Sequence, residues 1–192
     1  AQGHADAQYN LGALYAEGQV VAQDYARSAA WWEKAAAQGH TQAQYNLGVL
    51  YAEGQGVAQD YGKAREWYEK AAEAGNARAA WKLGDLLQPY ASEQAHDWYQ
   101  KAAAGGELHA ALRLGDYYRA RDPDKARTYY QAAASLREPE ARYKLAEILR
   151  TSDPAAARSW YRKAALEGYD QTDSAAKAAE TLGNIYRHGE NV

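Results

Sequence analysis

The stretch LGVLYAEGQGVAQDYGKAREWYEKAA, Leu47 to Ala72, contains one complete structural unit of the chain. Apolar residues recur at helical spacing before Gly54 and again after Asp60, which predicts two short amphipathic helices joined by a turn. Gly54 suits the end of the first helix, because a positive φ angle costs glycine little. Asp60 suits the start of the second helix, where a carboxylate accepts hydrogen bonds from the free amides of the first turn.

The same unit recurs along the chain. Residues 3–38 are identical to residues 39–74 at 24 of 36 positions, which indicates an internal duplication. Two sets of residues at equivalent positions of successive units, here called columns, extend the pattern in weaker form. The first-helix leucine column contains Leu11, Leu47, Leu83, Leu114, Leu145 and Leu182. The second-helix aromatic column contains Trp31, Trp67, Trp98, Tyr129 and Trp160.

These columns divide residues 1–192 into a single array of repeats. The repeats cover 3–38, 39–74, 75–105, 106–136 and 137–167, with a partial repeat at 168–192. The three 31-residue repeats lack five residues of the turn between their helices, which predicts tighter turns there. We expect the array to be truncated at both ends, so that Leu182, Ile185 and Tyr186 expose an apolar face.

Three further columns predict how each helix pair is built. Aspartates precede four of the second helices and are expected to cap them; they are Asp24, Asp60, Asp122 and Asp153. Pro123 and Pro154 follow two of these, in the first helical position, where a missing amide hydrogen costs nothing. Small residues in the first helices are expected to allow close helix approach; they are Gly12, Gly48, Gly84, Gly115 and Gly183.

The LG pair, the glycine-bearing turn, the aspartate and the WYxKAA motif together resemble the Sel1-like repeat, a relative of the tetratricopeptide repeat. The match is close over residues 3–74 and looser in the shorter repeats. The resemblance implies an all-α fold, a right-handed α-solenoid (superhelix) of antiparallel helix pairs. One pair cannot bury its apolar stripe alone, so neighbouring pairs stack and share an elongated core.

Composition and charge exclude several classes of function. The formal net charge of −3 provides no field that would recruit nucleic acid. No run of about 18 apolar residues is present, so no membrane span is expected. The absence of cysteine removes disulfides, thiol nucleophiles and thiolate metal sites but leaves the compartment open, either bacterial periplasm or cytoplasm.

No motif for a cofactor, a metal or catalysis is found. A phosphate-binding loop needs four residues between its first glycine and a Gly-Lys pair, followed by Ser or Thr. Five residues separate Gly56 from Gly62 and Ala64 follows Lys63, so this stretch is better interpreted as a turn. The five histidines are dispersed, and no nucleophile elbow appears. We therefore expect a protein that is not an enzyme and binds no cofactor.

The first helices carry the candidate partner-binding residues, since first helices line the concave face in tetratricopeptide-type arrays. Two residues after each marker leucine come Ala13, Val49, Asp85, Asp116, Glu147 and Asn184. Five residues after it come Ala16, Ala52, Gln88, Arg119, Arg150 and Arg187. One interpretation is a solvated ladder of i,i+3 ion pairs, Asp116 with Arg119 and Glu147 with Arg150. The other is an arginine strip that receives an acidic segment or a carboxylate.

A first-helix aromatic column adds to the candidate site. Its members are Tyr9, Tyr45, Trp81 and Tyr143. They are expected in the core or at its rim, and Tyr45 and Trp81 are also candidates for gripping a peptide or a sugar ring.

The leading functional hypothesis is a protein–protein interaction scaffold or adaptor, the role that the resemblance implies. The alternative is a carbohydrate- or cell-wall-binding component of a bacterial envelope or exopolysaccharide export complex, supported by 17 tyrosines and 6 tryptophans. An enzyme whose catalytic domain lies outside this chain is a third option. End-to-end self-association of the open solenoid ends joins a protein or peptide among the expected partners.

Overall fold

The computed structural model describes residues 2–89, 92–135, 138–167 and 173–187. These residues form eleven helices and no strand, so the fold is all-α. The chain comprises two compact units, residues 1–107 and residues 108–192. The first unit contains α1 (Gln2–Glu17), α2 (Tyr25–Ala37), α3 (Thr41–Glu53), α4 (Tyr61–Glu73), α5 (Ala77–Leu87) and α6 (Ser92–Ala104). The second contains α7 (Leu108–Tyr118), α8 (Pro123–Ser135), α9 (Pro139–Ser152), α10 (Pro154–Glu167) and α11 (Asp173–Arg187).

Consecutive helices within each unit pack as antiparallel pairs. In the first unit α1 packs on α2, α3 on α4 and α5 on α6, and in the second α7 packs on α8 and α9 on α10. The second helix of one pair also packs on the first helix of the next, as α2 does on α3 and α8 on α9. This confirms stacked helix pairs that share a core along each unit.

The turns between paired helices differ in length as the repeat lengths predict. Residues 18–24 and 54–60 connect the helices of the two longer repeats, whereas residues 119–122 and Asp153 alone do so in two shorter ones. Gly54 ends α3 with a φ angle of 70°, in the left-handed region that favours glycine. The tighter turns are thereby confirmed in these two repeats, while the turn of the repeat at 75–105 lies partly outside the described residues.

Side-chain caps define where the second helices begin. In each of four helices, an aspartate Oδ1 accepts the amide hydrogen three residues on, at 3.0 or 3.1 Å. The aspartates are the four that the sequence predicts, Asp24, Asp60, Asp122 and Asp153. Pro123 and Pro154 are the first residues of α8 and α10, as expected.

Four members of the leucine column lie in the core of their unit. Leu47, Leu83, Leu114 and Leu145 are at most 1% exposed. Leu11 remains 38% exposed, because α1 packs on α2 but has no helix of the described chain stacked before it. The expectation of an exposed face on α11 is wrong for Ile185, which is only 9% exposed because α11 packs on both α9 and α10. Tyr186 is exposed as expected, and Leu182 is half-buried.

Four of the five first-helix glycines lie directly against an aromatic ring of the partner helix; they are Gly12, Gly48, Gly84 and Gly115. A Cβ atom at Gly48 would lie 2.5 Å from the Tyr68 ring, and one at Gly115 would lie 2.4 Å from the Tyr130 ring. Real side chains do not tolerate such distances, so glycine sets the approach of the two helices. The expected close approach is confirmed at these positions. Gly183 differs, since the nearest atom to its Cβ would be 3.9 Å away.

Candidate functional site

The first-helix carboxylates of the shorter repeats are held by tyrosines from the paired second helices. Tyr99 Oη donates to Asp85 Oδ1 at 2.7 Å, and Tyr130 Oη donates to Asp116 Oδ1 at 2.6 Å. Tyr161 Oη donates to Glu147 in the same way. The donor always lies 14 residues after the acceptor, so the repeat itself specifies the bond. The carboxylates are therefore fixed in orientation on the first helices.

These tyrosines are buried, and burial raises the pKa values of their hydroxyl groups. Tyr130 and Tyr161 are fully buried and Tyr68 is nearly so. Burial raises the pKa of all three hydroxyls well above the usual value of 10.0. For Tyr130 and Tyr161, the hydrogen bond to a carboxylate raises the pKa further. The hydroxyls consequently stay protonated and remain donors across the physiological range.

A lysine connects neighbouring first helices of the second unit. Lys144 Nζ on α9 lies 2.7 Å from Asp116 Oδ2 on α7 and 2.7 Å from Glu140 Oε1 on its own helix. Partial burial lowers the pKa of Lys144, but its two hydrogen-bonded carboxylates outweigh this and raise the pKa overall. Asp116 thus has both oxygens bonded, one to Tyr130 and one to Lys144.

This arrangement differs from the predicted ladder of i,i+3 ion pairs. Asp116 and Glu147 bind tyrosine and lysine, and no carboxylate of the described residues lies within ion-pair distance of Arg119 or Arg150. A buried tyrosine has few rotamers to lose, whereas an exposed arginine loses many on pairing, so the tyrosine bond is the less costly one. The guanidinium groups of Arg119 and Arg150 are exposed.

The three arginines of the predicted strip occupy different local settings. Arg150 lies within α9 and Arg187 is the last residue of α11, but Arg119 lies one residue beyond the end of α7. Arg187 binds its own helix, because Nε donates to the Gly183 carbonyl oxygen at 3.3 Å and Nη2 to Asn184 Oδ1 at 2.9 Å. Arg119 and Arg150 are therefore the two members of the strip that remain available to a ligand.

The first-helix aromatic column lies at the rim of the core, as the sequence predicts. The Tyr45 ring lies 6.0 Å from the Tyr68 ring, and Tyr143 lies 5.9 Å from Tyr161. Tyr45 and Trp81 are both half-buried, and burial raises the pKa of Tyr45. The Lys82 ammonium lies 4.5 Å from the centre of the Trp81 ring. Tyr45 and Tyr143 thus lie beside the buried tyrosine of their own repeat.

Sequence reasoning missed two features of the second helices. The residue after each member of the aromatic column is the buried one, as Tyr68 is 4% exposed while Trp67 is half-buried. The lysine three residues after each tryptophan covers the indole. The nitrogen-to-ring distances are 4.1 Å for Lys34 over Trp31, 4.3 Å for Lys70 over Trp67, 3.8 Å for Lys101 over Trp98 and 4.3 Å for Lys163 over Trp160. The recurrent W-x-x-K spacing in the sequence could have predicted these lysine–indole contacts.

The described ranges contain neither a cluster of metal ligands nor a membrane-spanning helix. No three histidine, aspartate or glutamate side chains in those ranges are grouped so as to hold a metal ion. None of the described helices combines the length and the apolarity needed to cross a membrane.

Comparisons with known proteins agree with this geometry. The Sel1 repeat model matches residues 5–40, 41–76, 77–107, 108–137 and 139–169. The chain is similar to a Sel1 repeat protein from Oxalobacter formigenes, with 32% identity and a TM-score of 0.79, over 99% of this chain and 79% of that one. No curated protein sequence matches the chain.

Two other bacterial structures share the fold. One is c5321, described as a protective antigen of uropathogenic Escherichia coli strains with an SLR fold, at 30% identity and a TM-score of 0.62; the match covers 98% of this chain and half (50%) of that one. The other is a Sel1 repeat protein from Klebsiella pneumoniae, at 27% identity and a TM-score of 0.52, over 95% and 93% of the two chains. Sel1 repeat proteins are non-catalytic and generally act as protein–protein interaction scaffolds. Because the family model matches five repeats over most of its length, the chain belongs to the Sel1 repeat family.

Proposed function

We propose that the chain is a non-enzymatic scaffold that binds an acidic protein segment on the first-helix face of its second unit. The observation that carries this proposal is the state of Arg119 and Arg150. Both guanidinium groups are exposed, while the neighbouring carboxylates Asp116 and Glu147 are already bonded to tyrosines. The positive charges therefore lack local compensation by ion pairing, and a guanidinium fork suits a carboxylate ligand.

A pocket of about 410 Å³ opens between α9 and α11 of the same unit. Its lining includes Tyr143, two lysines and three carboxylates, Glu138, Glu140 and Asp173. Lys144 and Lys177 are each paired with a carboxylate, so the pocket adds no uncompensated positive charge and the proposal rests on Arg119 and Arg150. Arg187, Asp116 and Glu147 would border a ligand there, and Tyr45 and Trp81 are proposed as separate contacts on the first unit.

Replacing Arg119 and Arg150 with alanine together is expected to weaken binding of a Glu-rich peptide more than tenfold, equivalent to about 1.4 kcal/mol. The loss arises because both charge-assisted hydrogen-bond donors disappear. Fluorescence anisotropy with a labelled peptide measures the dissociation constant, and added salt should weaken binding to the parent chain. The matched control replaces Arg127 and Arg162, exposed arginines of α8 and α10, with alanine. Equal affinity of the two double variants would exclude the strip.

The carbohydrate-binding alternative predicts a row of exposed, stacked aromatic rings. Tyr45 and Trp81 are half-buried against their own repeats, and lysines cover four of the second-helix tryptophans. These observations support a protein ligand over a sugar ligand.

End-to-end self-association is a further part of the proposal, supported by α1. Leu11 and Leu14 are each 38% exposed, whereas their equivalents in the next repeat, Leu47 and Leu50, are at most 3% exposed. The difference arises because α2 packs on α3. Replacing Leu11 and Leu14 with glutamate is expected to abolish a concentration-dependent dimer in sedimentation experiments. A parent chain that stays monomeric at all concentrations would refute this part.

A further inference from the structure

A pocket of about 560 Å³ lies in the first unit between the start of α4 and the end of α5. We call it the loop pocket and define it by the residues Tyr61, Gly62, Arg65, Leu86, Leu87 and Pro89. Asp85 and Gln94 complete its lining. It shares no residue with the arginine strip of the second unit, so its role is independent of the proposed function above.

The equivalent place in the preceding repeat is filled by the chain itself. Gly56, in the turn between α3 and α4, lies against the Tyr25–Ala26 peptide group at the start of α2. A Cβ atom on Gly56 would lie 2.3 Å from the carbonyl carbon of Tyr25 and 2.5 Å from the Ala26 nitrogen. Only glycine therefore fits this contact, and its φ angle of 70° favours glycine as well.

The loop pocket arises because the next repeat is shorter. Tyr61 and Gly62 are the equivalents of Tyr25 and Ala26, 36 residues on. The 31-residue repeat that follows lacks the five turn residues that would supply a counterpart of Gly56. In agreement, Tyr61 is 57% exposed, whereas Tyr25 is half-buried.

A second substitution enlarges the same region. Tyr51 is buried in the longer repeat, where its hydroxyl donates to Glu33 Oε1 at 3.1 Å. Leu87 occupies the equivalent position and has neither ring nor hydroxyl. A neighbouring pocket of about 320 Å³ results, and it shares Arg65, Leu87 and Gln94 with the loop pocket. The two pockets form one groove with an apolar floor and charged side chains at its edge.

We propose that the loop pocket binds a Gly-x-Gly turn of a partner protein, in the position that Gly56 occupies in the preceding repeat. The Tyr61–Gly62 peptide group provides the flat surface on which a glycine packs. Leu86, Leu87 and Pro89 provide the apolar walls. The exposed Arg65 guanidinium is placed to donate hydrogen bonds to carbonyl oxygens of the turn, which a bound turn leaves free.

The chain supplies its own probe for this proposal. A synthetic peptide with the sequence of residues 50–59, LYAEGQGVAQ, contains the turn that fills the equivalent site. Titrated into the ¹⁵N-labelled chain, it is expected to shift the amide resonances of Tyr61, Gly62 and Leu86 saturably and to leave that of Tyr25 unchanged. A peptide with alanine in place of both glycines should bind at least tenfold more weakly, because a Cβ atom would clash with the helix backbone.

A pocket-filling variant provides the second arm of the test. Gly62→Trp places an indole in the loop pocket and is expected to weaken binding at least tenfold, while Glu73→Trp at an exposed position of the same helix should not. If Gly62→Trp does not fold, the comparison of the glycine and alanine peptides still tests the proposal. The proposal is overturned if no saturable shift appears or if the alanine peptide binds equally well. A dimer that forms without peptide and that Gly62→Trp abolishes would assign the groove to a second copy, and this would overturn it too.

Discussion

Replacing Gly115 with valine is expected to lower the free energy of unfolding by about 3 kcal/mol, the sum of overpacking and a lost hydrogen bond. A Cβ atom at this position would lie 2.4 Å from the Tyr130 ring, and the two methyl groups of valine extend beyond it. The ring is fully buried and its hydroxyl is bonded to Asp116, so it cannot move aside without losing that bond. Urea denaturation measures the change.

The control for this prediction is the same substitution at Gly183. That glycine occupies the equivalent column, but the nearest atom to its Cβ would be the end of the Arg187 side chain, 3.9 Å away. Gly183→Val should therefore change the free energy of unfolding by less than about 0.5 kcal/mol. Equal losses in the two variants would show that helix propensity, rather than contact with Tyr130, limits this column.

Stability is expected to fall steeply as the pH rises above about 10, where unfolded tyrosines lose their protons. Burial raises the pKa of Tyr68, Tyr130 and Tyr161 in the folded chain. Between the unfolded and the folded pKa, the native state retains protons that the unfolded state has released. Unfolding then releases protons, so a higher pH favours it, by up to about 1.4 kcal/mol per pH unit for each tyrosine. The contribution of the buried, protonated tyrosines to stability is fully present below the unfolded pKa and is lost progressively as the pH rises from the unfolded to the folded pKa.

Urea midpoints measured across the alkaline range test this linkage. Tyr130→Phe removes one of these groups and should reduce the slope of stability against pH by up to about 1.4 kcal/mol per pH unit. Tyr61→Phe is the matched control, because Tyr61 is 57% exposed and its loss should leave the slope unchanged. A slope that Tyr130→Phe does not alter would contradict the assignment of raised pKa values to the buried column.

The alignment of the repeats predicted much of the fold but little of the hydrogen bonding at the first-helix candidate site. The caps at Asp24 and Asp60, the glycine that ends α3 and the short turns of the later repeats all depend on local chemistry, so the sequence reveals them. Of the two interpretations of the first-helix charges, the ladder that pairs Asp116 with Arg119 is wrong. Its i,i+3 neighbour Arg119 is close in sequence, but Tyr130 is closer to its carboxylate in space and better placed to bond it.

The sequence by itself determined the helix pairs, their caps and the glycines that set their spacing, because each requires residues within one repeat of about 36 positions. Only the tertiary structure decided which charges remain available. Lys144 and Tyr130 reach Asp116 from two other helices and Tyr161 reaches Glu147, so neither carboxylate pairs with the exposed Arg119 or Arg150. The loop pocket likewise became visible only where Gly56 could be seen to fill the equivalent place one repeat earlier. Contacts between helices depend on distances that residue spacing does not encode, and the partner-binding properties proposed for this chain depend on those contacts.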